Sequence, residues 1–192
     1  MENDRKTQII KAAVKRFSKH GLGKTTLDEI ARDLRIGKAT IYHYFISKEE
    51  LFYSAIEWEC EQYIEEVKAV FDNSELSLRE KLNSYFNNKG TLDQRYKLLY
   101  DLFLVFMKED IFEKEKEILQ STLMKEKAVI ESVLNHAYRK KEIKLLPSLH
   151  LMFLVMSWGW PLGFRLLGIV DGENESQSDE LLSLLIENIL PD

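Results

Sequence analysis

The chain has 192 residues, 45% hydrophobic and 31% charged, a mixture that excludes a disordered or low-complexity protein and supplies enough apolar residues for a substantial core in one or two domains. Its net charge of −5 taken alone argues against a nucleic-acid partner, but the charge is unevenly spread: residues 1–50 hold 11 Lys or Arg against 7 Asp or Glu, a net +4, and the rest is −9. Cys60 is the single cysteine, so no intrachain disulfide forms and an intracellular, cytoplasmic protein is the simple expectation.

In chain order, the polar start Met-Glu-Asn-Asp-Arg-Lys lacks an apolar signal core and leads into an amphipathic helix. Thr26 followed by Glu29 fits a capping box, in which hydroxyl and carboxylate each satisfy a backbone N–H at a helix start. Leu27, Ile30, Ala31 and Leu34 then recur at i, i+3, i+4 and i+7, giving that helix one apolar face. Arg35, Ile36 and Gly37 interrupt the pattern, and Gly37 serves as N-cap of a second helix, so the connection has the length a helix-turn-helix allows. From Lys38 to Phe45 the buried side is Ile41 and Phe45, which leaves Lys38, Thr40, Tyr42, His43 and Tyr44 over the remaining surface. Ser47 and Glu50 make another capping box, opening a helix from Lys48 to about Phe71 that is closed by Asp72-Asn73-Ser74.

The body reads as helices almost throughout, with no strand alternation and no internal repeat. A helix is expected over Leu78 to Tyr85 or Phe86, stopped by Asn87-Asn88-Lys89-Gly90. An apolar run from Tyr96 to Met107 has the character of a central helix, and a long charged helix covers Ile111 to Tyr138, with Glu113-Lys114-Glu115-Lys116-Glu117 as a solvated face. Pro147 suits the first turn of a helix reaching Val170, and after the loop Asp171–Ser176 a closing helix runs from Asp179 to Leu190. The 20 uncharged residues from Leu145 to Phe164 could span a bilayer by length, but they contain Pro147, His150, Gly159 and Pro161 and read instead as a buried interface helix, with no membrane partner.

The run Ile36-Gly37-Lys38-Ala39-Thr40-Ile41-Tyr42-His43-Tyr44-Phe45-Ile46-Ser47-Lys48-Glu49-Glu50-Leu51, preceded by Ile9-Ile10-Lys11-Ala12-Ala13, Phe17, Gly21 and Thr25-Thr26, resembles the signature of the TetR-type bacterial transcriptional regulators. The likeness covers about the first 55 residues and departs from the pattern at two places, where the family usually has Gly for Arg35 and Ser for Gly37. It implies an all-α fold of about nine helices, with a three-helix helix-turn-helix DNA-binding domain over residues 1–47 and a helical effector-binding and dimerisation domain over 48–192. The implied function is a ligand-responsive regulator, a repressor that binds a palindromic operator in double-stranded DNA as a homodimer and is released by a small hydrophobic or amphipathic effector.

For the reading helix, Lys38 can reach a guanine edge or a phosphate, and Thr40 can hydrogen-bond to either kind of group and offers a methyl to thymine. Ala39 belongs to the same contact set. Tyr42, by the resemblance, donates its hydroxyl to the DNA backbone. Lys48 with the N–H groups of its helix start makes a phosphate clamp, and Lys24 and Thr26 do likewise at the preceding helix. His43 and Tyr44 either touch bases and sugars or brace the helix. No Arg occupies this helix, so bidentate guanine readout by Arg is excluded there.

In the family a ligand in the C-terminal domain moves the fourth helix and so the spacing of the two reading heads. Pocket candidates are the apolar and aromatic Tyr96, Tyr100, Phe103, Phe106, Trp158 and Leu162. Pro161 removes the amide that would bond the Ser157 carbonyl, and a kink there makes room beside Trp158. Arg165, seven residues beyond Trp158 and on much the same face, needs an anion, either Asp101 or an acidic ligand. The dimer surface is expected at Met152, Val155, Met156 and Gly159 together with Leu181, Leu182, Leu185 and Ile189. No cofactor or metal is expected: His20, His43, His136 and His150 lack ligand spacing, Cys60 has no nearby His in sequence, and no phosphate-cradling glycine loop occurs, so an enzyme is not the reading. The competing class is a helical adaptor that never touches DNA.

Overall fold

A computed structural model of the chain describes residues 2–108 and 111–143, and these form eight helices and no strand: α1 (Glu2–Lys24), α2 (Leu27–Asp33), α3 (Lys38–Tyr44), α4 (Lys48–Asp72), α5 (Leu78–Gly90), α6 (Leu92–Arg95), α7 (Lys97–Met107) and α8 (Glu113–Arg139). The helices expected beyond Pro147 and the uncharged stretch 145–164 lie outside the described residues. Among the described residues no helix is long and apolar enough to cross a membrane. The described residues divide into two compact units, residues 2–63 with 93–108 and 111–122, and residues 64–92 with 123–143.

In the first unit, α1 buries Ile9, Ala13 and Phe17, one residue per turn along a single stripe. The α1 run bends at Gly21, whose backbone lies at φ 72°, ψ 171°, a region open almost only to glycine. Leu27, Ile30 and Ala31 of α2, Ile41 of α3 and the following Phe45 are all buried, and Leu51 and Ala55 continue the buried set on α4. Each such side chain contributes about 1.5–3 kcal/mol when fully removed from water, less for alanine. The capping box of Thr26 and Glu29 forms with both of its backbone bonds. At α4 the box is shifted: Ser47 Oγ accepts from the Glu50 N–H at 3.1 Å, but the Glu50 carboxylate reaches back to the Ile46 N–H rather than to Ser47.

α7 starts without a side-chain bond from its own N-cap, Tyr96. The carboxylate of Glu59 on α4 takes that place, accepting the Leu99 N–H at 2.9 Å while itself almost fully buried. Burial pushes this carboxyl up to about 7 against the opposing pull of the Leu99 and Leu98 amides; Asp101 adds to the rise and Lys97 opposes it. A carboxyl that titrates near 7 when folded and near 4.5 when unfolded holds its proton more tightly in the folded state between those values. Its contribution to stability is therefore present below about pH 4.5 and is lost as pH rises to 7. Glu59→Gln is expected to flatten that part of the stability curve, checked by thermal midpoints from pH 4.5 to 8; an unchanged slope would contradict the assignment.

In the second unit, α5 passes through the expected stop at Asn87 and ends at Gly90, because Lys89 turns inward and not into a loop. Lys89 Nζ lies 2.6 Å from Glu126 Oε1 of α8, and the Tyr85 hydroxyl donates to the same oxygen at 2.7 Å. Both charges are essentially inaccessible to solvent, at 2% and 0% exposure, and burial lowers the lysine to about 8 despite its partner. Removing one member of such a pair strands the other. Lys89→Met is expected to destabilise the protein by about 3–5 kcal/mol in urea unfolding, while the all-apolar triple replacement Lys89→Met, Glu126→Leu, Tyr85→Phe recovers most of that loss. A triple variant no better than the single would refute the account.

Candidate nucleic-acid interface

The connection between α2 and α3 is built by a Schellman arrangement in which the Ile36 N–H bonds the Ala31 carbonyl at 3.0 Å and the Arg35 N–H bonds that of Arg32 at 3.1 Å. This geometry requires a left-handed residue between Leu34 and Ile36, and Arg35 supplies it at φ 54°. Gly37 caps α3 through its backbone alone, with no side-chain bond. Both departures from the usual pattern are thus accommodated, the first at the expense of a strained non-glycine residue.

α3 has seven residues and is held from beneath by Ile41 and, just past its end, Phe45. Its outward side presents Lys38, Ala39, Tyr42 and His43 as exposed residues, Tyr42 at 50%, with Thr40 and Tyr44 half-buried. The His43 and Tyr44 rings meet edge to face at 5.0 Å, a contact that stiffens the end of α3. Lys24 and Thr26 are exposed at the entry to α2. The donors of Thr26 are engaged, however: its N–H and its hydroxyl each donate to Glu29 Oε2 at 2.9 Å, which lowers the Glu29 carboxyl below its ordinary range. Lys48 is half-buried and donates to the Leu22 carbonyl at 2.8 Å and the Thr25 carbonyl at 3.2 Å, so it fastens the start of α4 to the α1–α2 connection.

Two further ion pairs organise this surface. The Arg16 guanidinium of α1 grips Asp33 of α2 with Nε at 2.6 Å and Nη2 at 2.7 Å and approaches Glu29 at 3.6 Å; this raises the arginine and lowers Asp33. Lys38 Nζ at the first position of α3 lies 2.7 Å from Asp28 Oδ2 in the first turn of α2, and that hydrogen bond raises the lysine. Neither pair follows from a local rule, because the partners stand 17 and 10 residues apart.

Of the other site residues, Phe103 is buried, Tyr96 and Tyr100 are half-buried and Phe106 is 40% exposed. Tyr96 packs edge to face on Tyr63 at 5.7 Å and its hydroxyl reaches the Gln62 carbonyl at 3.5 Å. Asp101 is paired with Lys97 at 2.6 and 2.8 Å. Trp158, Leu162, Arg165 and all eight dimer candidates, Met152, Val155, Met156, Gly159, Leu181, Leu182, Leu185 and Ile189, lie outside the described residues. Among the described residues no group of three or more His, Cys, Asp or Glu could hold a metal ion.

Residues 9–55, which contain this whole arrangement, match the family described as bacterial regulatory proteins, tetR family. Over those residues the chain is similar to that family. It is 26% identical over 192 residues to the HTH-type transcriptional regulator YerO of Bacillus subtilis, covering 97% of this chain but only 64% of that regulator's length. It is 29% identical over 189 residues to IcaR of Staphylococcus aureus, the negative transcriptional regulator of the biofilm operon icaADBC, covering 94% and 96% of the two chains. The crystal structure of the regulator FadR from Bacillus subtilis, solved with stearoyl-CoA, shares the fold at a TM-score of 0.67 and 21% identity over 95% of this chain and 98% of that one. Among the described residues the class is the all-α one read from the sequence.

Arg35 supplies a directly measurable consequence of the turn. It is exposed, and its left-handed backbone disfavours any residue with a Cβ, so Arg35→Gly is expected to raise stability by about 0.5–1 kcal/mol. A lowered urea midpoint in that variant would show that the arginine side chain, and not its dihedral, governs the position.

Proposed function

We propose that the chain is a ligand-responsive DNA-binding transcription regulator, a repressor that occupies a palindromic operator as a homodimer and leaves it when a small hydrophobic or amphipathic effector binds. The observation that carries this reading is α3 itself, a short helix anchored by Ile41 and Phe45 whose opposite side offers Lys38, Ala39, Thr40, Tyr42 and His43. In this reading residues 1–47 dock on DNA and residues 48–192 bind effector and partner. Thr40 and Lys38 contact base edges, Tyr42 donates to a phosphate, and Lys24, Thr26 and Lys48 flank the backbone, with His43 and Tyr44 either touching bases and sugars or bracing the helix. Because Thr26 and Lys48 already bond within the chain, their share of the phosphate contacts comes from exchanging those bonds on docking.

Two helical joints support transmission of the effector signal. Lys48 ties the start of α4 to the reading head, and Glu59, three turns further along α4, caps the start of α7 next to Tyr96 and Tyr100. An effector seated on Tyr96, Tyr100, Phe103 and Phe106, completed by Trp158, Leu162 and Arg165, displaces the α7 start and draws α4 with it. Only a ligand that prefers the conformation poorly matched to DNA does this, and each 1.4 kcal/mol or so of preference is tenfold in operator affinity. FadR holding stearoyl-CoA on the same fold supports an apolar effector class. Pairing through Met152, Val155, Met156, Gly159, Leu181, Leu182, Leu185 and Ile189 sets two reading heads about 34–36 Å apart or a multiple of that.

The test is capture of genomic DNA fragments by the full chain at two salt concentrations, where a specific and salt-sensitive complex is expected. Tyr42→Phe should weaken operator and random duplex about equally, while Thr40→Ala should alter base preference with little change on random duplex; the reverse would exchange their roles. Absence of a complex on every fragment would favour a helical adaptor.

A further inference from the structure

We propose that Asp28 is a specificity-determining positioning residue of the reading head: it holds the Lys38 ammonium beside its own carboxylate and away from the phosphates, so that the pair presents one donor and one acceptor to a single G·C base pair. The inference rests on the DNA-binding reading and adds to it a residue that carries no DNA-binding role there.

Lys38 is the first residue of α3, the end of a reading helix that meets base edges. Asp28 lies in the first turn of α2, the helix that crosses the sugar–phosphate backbone, and its Oδ2 stands 2.7 Å from Lys38 Nζ. A bracing role accounts poorly for this contact. α2 and α3 are already joined through Leu27, Ile30, Ala31 and Ile41, all at most 5% exposed, and the Lys38 and Asp28 side chains are 43% and 58% exposed, where an ion pair adds little to stability.

Its effect on charge is larger. A free lysine at this position would attract every phosphate it passed and add about one unit to the salt dependence of binding, without regard to sequence. Held against a carboxylate, the ammonium has no net charge to offer beyond a Debye length of about 10 Å, and Asp28 repels a phosphate that approaches. At a base edge the same pair fits well. Guanine presents O6 and N7 as acceptors for the lysine, and the paired cytosine presents its N4 amino group as a donor to the aspartate. The carboxylate thus converts a sequence-blind cation into a reader, in a helix that contains no Arg for guanine.

The experiment uses the full chain and a randomised double-stranded DNA library, with D28N, K38M and the double variant beside the wild type. Selected sequences from the wild type should show a G·C preference at one position of each half-site. D28N and K38M should each reduce the preference at that same position about fivefold or more, and the double variant should reduce it no further than either single. D28N should also bind a random duplex more tightly at low salt, with a salt slope steeper by about one. Thermal midpoints of the variants should stay with the wild type, which separates positioning from folding. The proposal is overturned if D28N selects the same sequences as the wild type, or if the two single variants lose preference at different base pairs. A wild type that captures no duplex at all would overturn the DNA-binding reading as well, whereas capture with an unaltered D28N overturns this proposal alone.

Discussion

A seven-residue helix does not persist in water on its own, because nucleation is too unfavourable for so few backbone bonds to offset. Everything asked of α3 therefore depends on the two apolar side chains that fasten it, Ile41 and Phe45, and on the α1 stripe of Ile9, Ala13 and Phe17 that shares their core. The outward residues are free to be chosen for recognition only because the inward ones supply the stability. With Tyr42 half exposed and Ile41 beside it fully buried, adjacent positions in the chain carry opposite duties.

Around that apolar anchor, polar contacts set angles more than they add stability. The Arg16 fork on Asp33 fixes α2 against α1, and the Lys48 ammonium reaches two carbonyls where α1 gives way to α2. These bonds join residues 17 to 26 positions apart, so they fasten separate helices into one unit. The same principle recurs at α7, where a carboxylate from another helix satisfies amides that the helix's own N-cap leaves unbonded. In the second unit the Lys89–Glu126 pair differs in being withdrawn from water: the charges on α5 and α8 compensate each other, and the Tyr85 hydroxyl donates to the carboxylate.

What could be read in the residues was what local rules govern. Thr26 and Glu29 announce a helix start by spacing, the i, i+3, i+4, i+7 pattern from Leu27 marks a buried face, and α4 runs to within one residue of its expected end. The exceptions have tertiary causes. Asn87-Asn88-Lys89-Gly90 looks like a terminator until the interior carboxylate of Glu126 is present to receive Lys89. Glu59 has nothing local to mark it, since the amide it accepts lies 40 residues on. Asp28 and Arg16 likewise acquire their partners only through the fold, which is why the exposure of Lys38, Ala39, Tyr42 and His43 could be read from spacing and the ion pairs behind them could not.

Gly21 shows a constraint of another kind. A Cβ built there would meet nothing within 4 Å, so neither crowding nor packing protects the position. The dihedral angles do, since φ 72° with ψ 171° is a region that residues carrying a Cβ almost never adopt. Any replacement of this glycine introduces a Cβ, so substitution at the site is confined by the stereochemistry of the chain and not by its neighbours.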